Sequence, residues 1–212
     1  MFFTGGFMAH KKRVDPMFKK YFDIETPIVY LENIKVQKKV EDRFNRSWKR
    51  FYKKAEPLIS DFRQERFDAF FRQLERDGCD ERYNRRIAIR FINPVVGYGV
   101  FAKEDIPPYS TLVQYTGLLM LDDDIDPDHD STFSFSDYKT YSIDAAKHGN
   151  WARFMNHCAE GEAKNNAIPW EYYTEKGPRI VFTSGAHGIK KGKQILYSYG
   201  DEYWTEKKCV KF

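Results

Sequence analysis

Beyond residue 86 this chain leaves no room for long helices between its strand-like runs. Short β-branched or alternating stretches follow one another closely: Arg86–Ile92, Val100–Ala102, Thr111–Tyr115, Thr132–Ser136, Thr140–Ile143, Arg179–Ser184 and Gln194–Tyr199. After Ala102 comes KEDIPPYS, and Pro107 followed by Pro108 stops a helix within two turns. Parallel βαβ units need crossovers of a dozen residues or more, usually helical. The spacing therefore predicts an α+β fold with several small sheets and short helical turns.

The N-terminal third has a different period. Val40, Phe44, Trp48, Phe51 and Tyr52, then Phe62, Phe67, Phe70, Phe71 and Leu74, recur at helical spacing. Pro57 separates two helices, Asp61 with Gln64 suits a capping box for the second, and Gly78 suits its end. One reading is a helical hairpin packed on the sheet region. The large aromatics on both helices also suit a homodimer face. A basic face of Lys38, Lys39, Arg43, Lys49, Lys53 and Lys54 raises nucleic-acid contact, but acidic residues interrupt it, and direct nucleic-acid binding is not expected.

Composition narrows the class. A chain of 212 residues suits one core of ordinary size. No apolar run reaches the length of a membrane span. The start, MFFTGGFMAHKKR, has its charges after its apolar residues, against a classical signal peptide. Cys79, Cys158 and Cys209 are scattered, which implies a reducing compartment and no cysteine-held zinc within one chain. Charge is uneven: residues 1–86 carry 21 Lys and Arg against 14 Asp and Glu, and residues 87–212 carry 14 against 17. The acid gathers in LDDDIDPDHD (Leu121 to Asp130). An EF-hand counted from Asp124 needs Gly sixth and Glu twelfth, and finds His129 and Phe135. That leaves a solvated loop, or one that attracts lysine- and arginine-rich tails.

Five motifs carry chemistry. GYGVFA (Gly97 to Ala102) fits the dinucleotide fingerprint, yet no helix can open at its glycines. Those glycines serve a strand–turn–strand, either as a plain turn or as a close backbone approach to a ligand. QYTG (Gln114 to Gly117), YSIDA (Tyr141 to Ala145), GNWARFMNHC (Gly149 to Cys158) and QILYSYGDEYW (Gln194 to Trp204) follow. In this order they resemble the SET domain, the protein lysine methyltransferase fold. The likeness covers roughly residues 86–204. It implies an N-terminal helical extension over 1–85, a SET catalytic domain over 86–204 and a C-terminal tail over 205–212. It also implies a pseudoknot, in which the segment after Asn156 and His157 threads beneath a neighbouring loop. GDEYW is similar to bacterial SET proteins of the chlamydial type. That implies the cytoplasm of a bacterium, or a host nucleus after export without a cleaved signal.

The same resemblance assigns roles. Tyr199 matches the catalytic tyrosine, Tyr115 a second channel tyrosine, and Tyr197 the position that tunes how many methyl groups are added. Gly97, Tyr98 and Gly99 match the turn that approaches the methionine end of S-adenosyl-L-methionine. Asn156 and His157 match cofactor contacts, and Trp204 could stack on adenine. Tyr141 and Arg153 are placed with this group, Arg153 as a structural hydrogen-bond donor rather than a catalyst. No metal is implied, and His10, His129, His148 and His187 have no evident partners. The implied activity is lysine N-methylation of basic proteins such as histones or bacterial histone-like proteins. Cys158 and Ala159 stand where the family has Ser-Cys, and Ser198 stands where it often has Asp. These departures keep open an inactive SET-fold binding or nucleoid-associated module. A target outside chromatin is a further reading, and without the family a basic α+β nucleic-acid binder is another.

The chemistry itself asks for aromatic walls. A lysine amine must be neutral to attack a methyl carbon, and with a free pKa of about 10.4 neutrality at pH 7 costs roughly 4.6 kcal/mol. Apolar burial and a neighbouring sulfonium both lower that pKa. The tyrosines supply such walls, with a few directed hydroxyl contacts.

Overall fold

The computed structural model describes residues 15–55, 67–72, 81–159, 161–200 and 203. Pro57, the Asp61–Gln64 cap, Phe62, Leu74, Gly78, Trp204 and the tail over 205–212 lie outside the described residues. Strands β3 (Ile87–Asn93) and β4 (Gly97–Ala102) form an antiparallel hairpin. Its turn is closed by Asn93, whose Oδ1 accepts the Val95 and Val96 amides at 2.9 Å. Strand β5 (Thr111–Gln114) pairs with β12 (Gly177–Ser184), which pairs in turn with β11 (Ala167–Thr174). A four-stranded sheet runs in the order β2 (Lys35–Val36), β6 (Leu118–Leu121), β8 (Tyr141–Asp144), β7 (Thr132–Ser134). Two parallel pairs complete the set: β1 (Val29–Tyr30) with β9 (His148–Gly149), and β10 (Asn156–His157) with β13 (Leu196–Tyr197).

The expected strands are present with altered ends, and β6 and β11 were not expected. LLML is a continuous apolar run without alternation, and β11 contains Pro169. Proline is tolerated there because β11 is an edge strand. Among the described residues each parallel pair links segments distant in sequence, with other strands between them.

The N-terminal part is woven into these sheets. Its β1 and β2 supply edge strands to partners far along the chain. Helix α1 (Pro16–Phe22) was not anticipated. Asp15 caps it by accepting the Met17 amide at 2.8 Å, Pro16 opens it, and Asp23 ends it in the left-handed region. Phe18 on α1 is fully buried against Tyr30 and Phe154.

Helix α2 (Glu41–Ala55) lays Phe44 and Trp48 on the sheet region. Phe44 meets Tyr141 at 5.4 Å, and Trp48 meets Tyr138 at 5.1 Å and Tyr173 at 5.8 Å. The Trp48 indole donates to the carbonyls of Thr174 and Glu175, pinning the helix to the β11–β12 turn. Helical residues 67–72 (α3) bury Phe67 and Phe70 and stack Phe71 on Tyr172. A short α4 (Glu81–Arg85) leads into β3. Of the aromatics considered for a dimer face, Phe44, Trp48, Phe67 and Phe70 are buried in the chain's own core, and Phe51, Tyr52 and Phe71 are half-buried.

Truncating this anchor tests its weight. Trp48→Ala should lower the unfolding free energy by about 3–5 kcal/mol in urea denaturation. A loss below about 1 kcal/mol would show that α2 is not packed as described.

Candidate active site

Two short strands create the site. A 3-10 turn, Trp151–Phe154, carries the chain into β10, and Asn150 caps it by accepting the Ala152 amide at 3.1 Å. Asn156 then pairs with Leu196, and His157 with Tyr197. Asn166 locks the pair with its side chain: Nδ2 donates to the Gln194 carbonyl at 2.8 Å, and Oδ1 accepts the Leu196 amide at 3.0 Å. The Cys158 amide donates to the Tyr197 carbonyl at 3.0 Å.

Three of the anticipated tyrosines converge beside this pair. Tyr197 lies 4.8 Å from Tyr199 and 4.7 Å from Phe182, ring to ring. Tyr115 reaches the same cluster through Phe133 at 5.6 Å and Phe182 at 6.4 Å. The Tyr199 hydroxyl donates to the Met155 carbonyl at 2.6 Å, and the Tyr115 hydroxyl to the Ser131 carbonyl at 2.8 Å. Burial pushes all three phenols well above their ordinary range, so the hydroxyls stay protonated and remain donors. The cluster is built of phenol and phenylalanine rings.

Tyr141 is not part of this cluster. Its ring is stacked on Tyr138 at 5.4 Å and meets Phe44, beneath α2. The YSIDA run fixed its strand correctly, but strand alternation does not say which neighbour a side chain meets. Arg153 is close to Tyr115, and its guanidinium is spent on protein groups. Nε donates to the Ala145 carbonyl at 2.7 Å, Nη2 donates to Ser131 Oγ at 3.1 Å, and the group lies over Phe154.

The glycine turn is joined to β10 through Asn156. No helix opens there; β4 runs on through Ala102. Gly97 has φ +74°, a conformation that favours glycine. A Cβ on Gly99 would come within 2.6 Å of Gln194 Nε2 and of Ile92 Cδ1, and 3.1 Å from Asn156 Nδ2. Asn156 Nδ2 donates to the Tyr98 carbonyl at 3.1 Å, and Tyr98 packs on Phe91 and Phe154. His157 Nδ1 accepts the Tyr199 amide at 3.1 Å, which places its neutral-state proton on Nε2. Tyr98 and Gly99 are therefore brought to Asn156, with Gly97 in the same turn, and His157, next along β10, meets the Tyr199 ring at 5.3 Å.

Several neighbours went unmarked in the sequence. Tyr203 sets its ring 4.9 Å from Tyr199. Phe133 and Phe182 form the cluster's centre; Phe133 lies on the alternating TFSFS run and Phe182 on the apolar IVF run, so the pattern gave their strands but not their shared destination. His129, credited with no partner, has Nδ1 at 2.9 Å from Asp144 Oδ2. That contact draws the acidic segment onto β8, and the same segment is tied to the start of α2 by Lys39–Asp124 at 3.0 Å. Among the described residues, no group of three or more His, Cys, Asp or Glu side chains could hold a metal ion, and no helix is long and apolar enough to cross a membrane.

Residues 97–200 match the family model of the SET domain. The fold is that of a SET domain. Over 116 residues the chain is 32% identical to the histone-lysine N-methyltransferase EHMT1 of Homo sapiens, covering 53% of this chain and 9% of that protein. Over 120 residues it is 31% identical to the histone-lysine N-methyltransferase EZH2 of Chaetomium thermophilum, covering 50% and 8%. Among solved structures, the polycomb repressive complex 2 of Chaetomium thermophilum is similar over 68% of this chain and 19% of that chain, at 26% identity and a TM-score of 0.49. The chain spans less than a tenth of the length of these two curated relatives.

The histidine in the site makes stability depend on pH. Burial holds His157 below its ordinary value of 6.5 and lowers His148 likewise. The unfolded chain then binds protons that the folded chain refuses, so stability rises with pH across that window. It is fully present above about pH 6.5 and is lost as pH falls toward the folded values. The urea midpoint should be lower at about pH 5.5 than at about pH 7.5, and His157→Asn, which keeps an acceptor for Tyr199, should flatten part of the difference. Equal midpoints in the wild type would contradict this.

Proposed function

We propose that this chain transfers a methyl group from S-adenosyl-L-methionine to a lysine amine of a basic protein, a histone or a bacterial histone-like protein. The observation that carries the reading is the convergence of Tyr115, Tyr197 and Tyr199 around Phe133 and Phe182, with Tyr199 bonded to the Met155 carbonyl and the next residue, Asn156, bonded to the Tyr98 carbonyl of the glycine turn. The histone-lysine methyltransferase homologues support it. On this reading residues 86–204 are the catalytic unit and residues 1–85 an extension that completes its sheets.

The residues present fit the cofactor. Glycine at 99 lets β4 lie against the Gln194, Ile92 and Asn156 side chains, Gly97 takes φ +74°, and Asn156 is bonded to the Tyr98 carbonyl, so on this reading the turn and Asn156 would take the amino-acid end. His157 stands next to them, with its backbone on β10. When bound, S-adenosyl-L-methionine supplies an electrophilic methyl group on a positively charged sulfur. The protein's contribution is to hold the amine uncharged and aimed. An aromatic enclosure strips water from the amine, which favours its neutral form. Tyr199 and Tyr115 are fixed by their bonds to Met155 and Ser131, so their rings need no reorganisation when a side chain enters. Their hydroxyls, kept protonated by burial, cannot trap the amine as an ion pair.

The departures from the family pattern leave the tyrosine cluster and the Asn156–Tyr98 bond in place, which supports the active reading over the inactive module. Cys158 and Ala159 follow the β10–β13 pair, and the Cys158 thiol is turned toward Glu162 at 3.4 Å. Asn156 keeps its bond to Tyr98, and the tyrosine cluster is intact.

Labelled S-adenosyl-L-methionine and core histones or a lysine-rich histone-like protein give the test. Transfer should fall about 100-fold or more in Tyr199→Phe, with binding of S-adenosyl-L-homocysteine retained. Cofactor binding with no transfer to any basic protein by the wild type would favour the inactive module. Tyr197→Phe should move the products toward higher methylation states in mass spectrometry, and an unchanged distribution would remove the tuning role given to Tyr197.

A further inference from the structure

Helix α2 presents two opposite faces. One, with Phe44 and Trp48, is buried. The other exposes Arg43, Arg46, Lys49, Arg50, Lys53 and Lys54. At 3.6 residues per turn these six fall within an arc of about 140°, on the side away from the aromatics. The acids that interrupt the sequence lie elsewhere: Glu41 and Asp42 belong to the first turn, and no Asp or Glu stands between Arg43 and Lys54. None of the six forms an ion pair among the described residues, in contrast to Lys39, which is paired with Asp124.

We propose that the outer face of α2 binds the phosphate backbone of duplex DNA without reading its sequence. The stripe runs about 16 Å along the helix, close to the axial length of five phosphates on one strand. Guanidinium groups fork onto phosphate oxygens, and lysines add point charges. The stripe contains no exposed aromatic or aliphatic anchor, which a protein partner would require at the centre of an interface. Nor can the helix settle into a membrane surface, because its apolar face is already occupied by the chain's own core. The inference rests on this helix alone and does not depend on methyl transfer. If the chain does act on basic nucleoid or chromatin proteins, the stripe would hold it where those proteins lie.

Fluorescence anisotropy of the full chain with a short mixed-sequence duplex, over a salt series, tests the proposal. Affinity should fall with salt by about 0.9 log units per phosphate contacted for each log unit of salt, and should be alike for unrelated sequences. Arg43→Gln with Arg46→Gln and Arg50→Gln should weaken binding roughly tenfold or more at moderate salt and flatten the salt slope. Lys103→Gln with Lys139→Gln and Lys191→Gln removes the same charge from exposed positions elsewhere. This second variant should leave binding near the wild-type level. Absence of DNA binding by the wild type would overturn the proposal, as would equal weakening by both variants. So would tighter capture of polyglutamate or of anionic phosphatidylserine vesicles than of duplex.

Discussion

The structure depends on one short parallel pairing, Asn156–His157 against Leu196–Tyr197. Two residues of ladder are little on their own, and the surrounding bonds make up the difference. Asn166 holds the later strand by two side-chain bonds, and the Cys158 amide, the His157 imidazole and the Tyr199 hydroxyl each add a bond across the same seam. Each is made by a buried or half-buried group whose loss would leave a polar atom unsatisfied, at about 1–3 kcal/mol. The seam brings together two pieces of chain some forty residues apart, and with them the glycine turn and the tyrosines.

Around the seam, small sheets do the work that a single large sheet does elsewhere. Each buries one face against another, so the core passes continuously from Phe18 through Phe154 and Phe182 to Phe44. The N-terminal residues take part directly. Their strands β1 and β2 close edges that would otherwise be open, and α2 covers Tyr138 and Tyr141. Aromatic density here is not decoration. Rings supply large apolar area with few polar atoms to satisfy, which suits a core built from many short strands.

Much of the fold could be read from the sequence where local pattern suffices. The β3–β4 hairpin, the TFS strand and the amphipathic period of α2 follow from alternation, turn residues and helical spacing. The ordered motifs carried Gly97 to Gly99, Tyr115, Asn156, His157, Tyr197 and Tyr199 to one neighbourhood. What pattern could not supply was long-range pairing. The strands β1, β9 and β10 are two residues long and exist because distant partners meet them. Tyr141 and Tyr115 look alike in sequence, both flanked by β-branched or polar neighbours, yet one faces α2 and the other the site. His129 was passed over because its partner, Asp144, lies on another strand. α1 is short, and its burial rests on Phe18 meeting Phe154 across 136 positions of sequence, which no local period reveals.

The central claim is that the seam assembles a cofactor cradle beside an aromatic channel. Isothermal titration of S-adenosyl-L-homocysteine into the full chain addresses it most directly, alongside Gly99→Ala, whose methyl would press on Asn156, Gln194 and Ile92. The account predicts saturable heat at one site per chain, much weakened in the variant. A cooperatively folded wild type that gives no heat, or a variant that binds as well as the wild type, would contradict it.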